Sequence, residues 1–316
     1  MVRLAIGIDV GGTKILGGVV DEKGMVLTRA RRVTPARDPE QIVRMIVSVV
    51  EELRRAAAGP YEGIGLAVPG QFDERSGSFV RIANLALMGF PFRSRLEEAL
   101  GETVRIENDT NAAALGEWRG GAGDGHAHFI YLALGTGIGA GVIVHGRLLR
   151  GAHGAAGEIG HTVVEKDGPQ CPCGNRGCLE MFASGGALAR RAAELAELRP
   201  DSLLAAWKRE GRDITASDLF RAADQGDAPS RAIVDEAMRY LAVGVNNLIE
   251  LFDPTAIAIG GGMAQLGDRL LARLTAAIRL QRPGSPDVSG RLTQARLGDD
   301  AGLVGAAAIV LQRGDL

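Results

Sequence analysis

Apolar and polar residues alternate at the start of the chain. Leu4, Ile6 and Ile8 stand two apart and run into the glycine turn of "DVGG". Apolar residues resume from Ile15 to Val20, and "DEKG" reverses the chain toward Val26 and Leu27. A period of two interrupted by turn residues predicts consecutive antiparallel strands. The period then lengthens: in "DPEQIVRMIVSVVEELRRAAAGP", Ile42, Met45, Ile46, Val49, Val50 and Leu53 recur at three-four spacing. Asp38 as N-cap, Pro39 at the first helical position, and Gly59 with Pro60 as the stop predict one amphipathic helix. "GIGLAVPG" and "TVRIEND" read as short buried strands ending in polar or glycine-rich loops, where α/β proteins place ligand contacts.

The opening pattern recurs. "LAIGIDVGGTKILGGVV" (Leu4 to Val20) has a counterpart in "FIYLALGTGIGAGVIV" (Phe129 to Val144), both strand, glycine turn, strand. This predicts two related α/β lobes: a small one over 1–118 and a large one over 119–299, parted near "WRGGAGDG". Helices follow around Gly185 to Leu198 and Ser217 to Gln225, and a long one carries the stripe Ile233, Val234, Ala237, Met238, Leu241, Val245, Leu248 and Ile249. "TAIAIGGGMA" is a buried strand entering three glycines. The tail "LGDDAGLVGAAAIVLQ" reads as a helix capped by Asp300, whose small Gly302, Gly305 and Ala306 permit close approach. This helix, within 300–316, is expected to return to the first lobe.

A chain of 316 residues suits two lobes with a cleft between them. The net charge of -2, with both signs dispersed, provides no basic stripe for nucleic acid or an anionic membrane. No apolar run approaches the ~18 residues of a membrane span, and the start lacks a signal peptide, so a cytoplasmic protein is expected.

Two glycine turns carry candidate chemistry. In "DVGGTK", Gly11 and Gly12 free backbone amides to converge on phosphate oxygens, Thr13 and Lys14 add a hydroxyl and a cation, and Asp9 could hold Mg²⁺ through water. "LGTGIGAG" offers Gly135, Thr136 and Gly137. Either turn alone could merely close a hairpin. There is no Gly-Lys dipeptide, which excludes a P-loop, and "GTGIGA" leads into strand-like Val142 to Val144 rather than the helix a dinucleotide fold requires. Gly261 in "IGGGM" could let backbone approach a flat adenine, or simply turn the chain.

All three cysteines, Cys171, Cys173 and Cys178, lie on one glycine-rich loop ten residues after His161. An odd count in a cytoplasmic chain disfavours a disulfide, and no general base marks the thiols as reactive. Cys₃His is a structural tetrahedral zinc set with no open position for water. Glu158 and Glu180 bracket it. Fixed by the metal, they could accept hydrogen bonds from vicinal sugar hydroxyls; left alone, they would be solvated charges.

With these motifs in order across nearly the whole chain, together with "ENDTNAAALGEW", "GAHGAAGEIGH", "CPCGNRGCLE" and "LGDDAGLVGAA", the sequence resembles the ROK family of sugar kinases and repressors, closest to its glucokinase branch. The resemblance implies a two-lobed actin/hexokinase-like, ribonuclease H-like ATPase fold with a duplicated mixed sheet, holding ATP and sugar in the interlobe cleft. It implies ATP-dependent phosphorylation of a hexose 6-hydroxyl, most simply glucose, with N-acetylhexosamines, mannose, fructose or allose as alternatives. Asp109 would be the base, although the same residue could serve as a helix N-cap. Asn84, Asn108, Asp109, Glu158, His161 and Glu180 would surround the sugar, and Asp9, Gly11, Gly12, Thr13, Lys14, Gly135, Thr136, Gly137 and Gly261 would hold ATP and Mg²⁺. His161 would serve sugar and zinc through its two ring nitrogens. A homodimer is implied, with a tetramer as the alternative. The sequence departs from many glucokinases after its Asn-Leu pair, where "ANLALMGFPF" has no tryptophan. Only Met1 to Arg3 precede the first strand, so a sugar-responsive repressor, which needs a DNA-binding segment there, is not expected; nor is a non-catalytic sugar-binding protein, which would need neither phosphate turn nor Asp109.

Overall fold

A computed structural model describes residues 2–35, 37–57, 59–82, 84–282 and 289–312. Its first elements are β1 (Leu4–Val10), β2 (Lys14–Asp21), β3 (Val26–Val33), α1 (Pro39–Ala56), β4 (Ile64–Val68), β5 (Gln71–Asp73), β6 (Ser78–Arg81), α2 (Phe92–Leu100), β7 (Val104–Asn108) and α3 (Asp109–Gly120). There follow β8 (Phe129–Leu134), β9 (Ile138–Val144), β10 (Arg147–Leu148), α4 (Glu180–Ala183), α5 (Gly185–Leu198), α6 (Leu203–Arg209), α7 (Ala216–Asp224), α8 (Ala228–Phe252), β11 (Ala256–Gly260), α9 (Asp268–Gln281), β12 (Leu292–Gln294) and α10 (Ala301–Leu311).

The repeat seen in the sequence is a repeat of topology. One sheet runs β3-β2-β1-β4-β7 and the other β10-β9-β8-β11-β12, the same order position by position. In the first, β1, β2 and β3 are antiparallel neighbours, whereas β4 and β7 run parallel to β1. In the second, β9 and β10 are antiparallel and β11 and β12 parallel. The chain divides into two compact units, residues 1–131, 141–157 and 295–316 against 132–140 and 158–294, the division passing through β8 and β9.

In the first unit both faces of the sheet are covered. Ile6 and Ile8 pack with Ile42, Ile46, Val49 and Leu53 of α1 in the main core. Asp38 caps α1 by accepting from the Gln41 amide, with Pro39 next, as the sequence predicts. Ala5 on the opposite face packs with Leu303, Val304 and Ala307 of α10. That contact is nearly backbone on backbone: a Cβ at Gly7 would lie 1.9 Å from the Leu303 carbonyl oxygen, and one at Gly65 1.8 Å from that of Ala306. The other side of α10 meets α3 as closely, since a Cβ at Gly305 would lie 1.6 Å from the Ala112 carbonyl oxygen.

One sequence expectation fails here. Asp300 occupies the N-cap position of α10 but has helical backbone angles and makes no capping bond; its carboxylate pairs with Arg29 instead, at 2.6 Å. The 3₁₀ turn Gly298–Asp300 leads straight into the helix, so no extended residue is left to act as cap.

In the second unit, α5, α7 and α8 carry their apolar stripes inward, Leu188, Leu219, Val234, Leu241 and Val245 being buried. Gly244 leaves a notch in α8 that Leu179 fills, a Cβ there falling 2.4 Å from its Cδ2. Among the described residues no helix is long and apolar enough to cross a membrane.

Candidate functional site

The first glycine turn is braced by its neighbours. The Gly11 amide donates to the Lys14 carbonyl at 2.9 Å, and buried Thr34 donates its hydroxyl to the Gly11 carbonyl at 2.7 Å. Gly12 faces Asn84, with a Cβ at Gly12 falling 3.4 Å from that of Asn84. The ammonium of Lys14 meets Asp299 at 2.5 Å. Asp9, at the end of β1, sits where a Cβ on Gly302 would fall 2.7 Å from its Oδ2. Burial, with the charge of Asp109 adding to it and Lys14 opposing it, pushes its carboxyl up to about 7.

At the end of β7 the N-cap of α3 falls one residue before Asp109. The N-cap is Asn108, whose Oδ1 accepts from the amides of Thr110 and Asn111, while its Nδ2 donates to the Gly70 carbonyl at 3.2 Å. Asp109 is the first residue of α3, and its Oδ1 accepts from the Thr110 amide at 2.8 Å. Capping of α3 thus falls to Asn108 and not to Asp109. Both lone-pair positions of Asn108 Oδ1 are used, so its remaining capacity is as a donor.

In the second unit the turn at Gly135, Thr136 and Gly137 is held from below by α5. The amides of Gly185 and Gly186 donate to the carbonyls of Gly135 and Thr136 at 2.8 and 3.3 Å, and Ser184 caps that helix. Gly261, with φ of 79°, crosses the end of β8 so tightly that a Cβ would lie 2.6 Å from the Leu134 carbonyl oxygen. Only glycine meets both demands. Gly135, Thr136, Gly137 and Gly261 therefore share one glycine-lined corner. The Glu180 carboxylate borders it, since a Cβ on Gly137 would lie 3.1 Å from its Oε2.

The cysteine loop closes as its spacing predicts. His161, Cys171, Cys173 and Cys178 present ligand atoms all within 4.8 Å of one another. Cys171 Sγ lies 3.6 Å from His161 Nδ1, and Cys173 Sγ 3.6 Å from Cys178 Sγ. A tetrahedron with metal bonds of about 2.0 to 2.3 Å has edges of about 3.5 to 3.8 Å, so the donor set fits zinc. Burial pushes the Cys171 thiol up to about 12 and raises that of Cys178. Thiols so placed stay protonated unless a cation takes the place of their protons. His161 Nε2 faces Glu158 at 3.8 Å, while Nδ1 faces the cysteines and Glu180 Oε1 at 3.3 Å. Each nitrogen therefore looks at a different part of the site. Tyr240 of α8 supports the loop, stacking on Phe182 at 4.0 Å and donating to Glu165 at 3.2 Å.

Sequence reasoning passed over two buried acids. Glu117, fully buried in α3, accepts from the amides of Ala122, Arg296 and Leu297 and ties the approach to α10 onto α3. Glu107, 8% exposed, pairs with Arg150 at 2.7 Å. Glu117 was signalled as a charged residue in an alanine-rich helix, whereas Glu107, in the alternating strand VRIEN, carried no such signal.

The profile of the ROK family matches residues 5–313. The chain is 37% identical to a glucokinase of Thermotoga maritima over 310 residues, covering 98% of this chain and 97% of that one. Among solved structures it resembles a ROK hexokinase from Thermus thermophilus with a TM-score of 0.84 and 38% identity, covering 97% of each chain. It also resembles a ROK family glucokinase from Streptomyces griseus in complex with glucose and AMPPNP, with a TM-score of 0.81, 37% identity, and 97% and 98% of the two chains covered. These neighbours have the two-lobed actin-like ATPase fold, and the duplicated sheet order found here is that fold's. The chain belongs to the ROK family.

Proposed function

We propose that this protein is an ATP-dependent hexose kinase that transfers the γ-phosphoryl group of ATP to the 6-hydroxyl of glucose. The supporting observation is near-full-length similarity to glucokinases, one of them solved with glucose and an ATP analogue, in a chain that keeps Asp109 at the first turn of α3. Asp109 accepts the proton of the sugar hydroxyl as it attacks phosphorus; the proton moves to the carboxylate, and the bond to the β-phosphate oxygen breaks. Asn84, Asn108, Glu158, His161 and Glu180 hold the sugar hydroxyls. Asn108 does so as a donor, because its oxygen is committed to capping. Gly11, Gly12, Thr13, Lys14, Gly135, Thr136, Gly137 and Gly261 hold the nucleotide.

Asp9 would hold the nucleotide's Mg²⁺, which when bound supplies charge neutralisation at the phosphates. Zinc on His161, Cys171, Cys173 and Cys178 is structural: the set is closed and offers no position for a reacting water. The protein acts in the cytoplasm as a homodimer. The test is a panel of hexoses and amino sugars with ATP, scored by sugar phosphate formed. Glucose is expected to give the highest kcat/KM; a larger value for an N-acetylhexosamine would reassign the acceptor, and turnover of none would remove the reading.

A further inference from the structure

Glu107 stands in the penultimate position of β7, two residues before Asp109, and makes contacts on both sides of it. Its Oε1 accepts from the Asn108 amide at 3.0 Å and from Asn111 Nδ2 at 3.1 Å. Its Oε2 accepts from Arg150 Nε at 2.7 Å. Arg150 opens the segment 150–156, which is closed on itself by the Ala156 amide donating to the Arg150 carbonyl at 3.0 Å. The same segment is tethered by Gln71 Nε2 donating to the His153 carbonyl at 2.7 Å. Glu107, Asn108, Arg150 and His153 line a cavity of about 540 Å³ within the first unit. A carboxylate this buried cannot rotate without abandoning one of its partners.

We infer that Glu107, locked by Arg150, is a positioning residue for the base. It fixes the residue before Asp109 through a backbone amide and the first turn after it through Asn111, so the direction of the Asp109 side chain depends on the Glu107–Arg150 contact. The inference rests on the kinase reading, because it assigns Asp109 as base. The chain runs directly from segment 150–157 to Glu158, and a shift of Arg150 would therefore reach the sugar-holding residues before the nucleotide turns.

Arg150→Met and Arg150→Gln separate positioning from bulk. The two side chains reach equally far, but glutamine places an N–H where the arginine Nε–H lies and methionine places a methyl group. In Arg150→Met, kcat should fall by about 10- to 100-fold and the KM for glucose should rise, while the KM for ATP stays within about two-fold. Arg150→Gln should recover kcat to within about three-fold of the parent protein. Amide hydrogen exchange over residues 108–111 should be faster in the methionine variant than in the glutamine variant, a readout that needs no turnover. Methionine and glutamine variants that match each other in kcat and in exchange would overturn the inference. Failure of the parent protein to phosphorylate any hexose would sink the kinase reading instead, and the exchange contrast alone would then decide whether Glu107 and Arg150 order this turn.

Discussion

Asp9 shows how a single side chain is set by its surroundings. Its carboxyl is raised to about 7 by burial first and by the charge of Asp109 second, with Lys14 opposing and Asp299 adding to the rise. The folded state therefore holds the Asp9 proton more tightly than the unfolded chain does, where the ordinary value is near 4. Stability from this group is full below about pH 4 and is lost as pH rises through about 7. Asp9→Asn should therefore leave the melting temperature of the nucleotide-free protein unchanged near pH 4 and raise it by a few degrees above pH 7. Melting curves across that range check it, and a difference independent of pH would contradict it. None of this was legible in the sequence, because Asp9 and Asp109 lie a hundred residues apart and only the parallel strands β1, β4 and β7 bring their ends together. The clustering of three cysteines and a histidine was legible for the opposite reason: His161 to Cys178 is one local loop whose residue types admit few partners. Asn108 and Asp109 stand between these cases. Both residue types cap helices well, and a shift of one residue in the helix start decides which of them does so.

At the scale of elements, α4 is only four residues long and cannot hold a helical turn by itself. It is held by the cysteine loop before it, by Leu179 in the Gly244 notch and by Phe182 stacked on Tyr240. Because Glu180 is its first residue, the cysteine loop sets where that carboxylate points. Cys173→Ser should weaken glucose binding by about 10- to 100-fold, as loss of metal-site order commonly does, and leave nucleotide affinity within about three-fold. Calorimetric titration with each ligand distinguishes this from equal losses in both, which would refute the coupling. The close packing of α10 was half legible. Gly302, Gly305 and Ala306 announced a helix that comes near something, but the complementary Gly7, Gly65 and Gly116 read as ordinary strand and helix glycines until the elements meet. The expected Asp300 cap failed because acidic residues at a helix start have another use whenever an arginine is in reach, and Arg29 on β3 is.

For the whole molecule, the duplicated order of the two sheets was visible in the chain as strand, glycine turn, strand, because alternation and glycine are both local signals. The division into units was not legible to the same degree, since residues 141–157 rejoin the first unit after leaving it in sequence, whereas the return of the last helix was expected from its small residues. Chemistry follows the same division. Asp9, Asn84, Asn108 and Asp109 belong to the first unit, and Glu158, the Cys₃His cluster, Glu180 and the second glycine corner to the other. On the proposed reading, a kinase built this way concentrates its proton transfer in one side chain while spreading substrate binding over many. Asp109→Asn, assayed by phosphorus NMR for glucose 6-phosphate alongside calorimetric binding of glucose and nucleotide, tests that claim most directly. The account predicts a fall in kcat of about a thousand-fold with both affinities within about three-fold of the parent protein; product formation at near-parental rates would show that Asp109 is not the base.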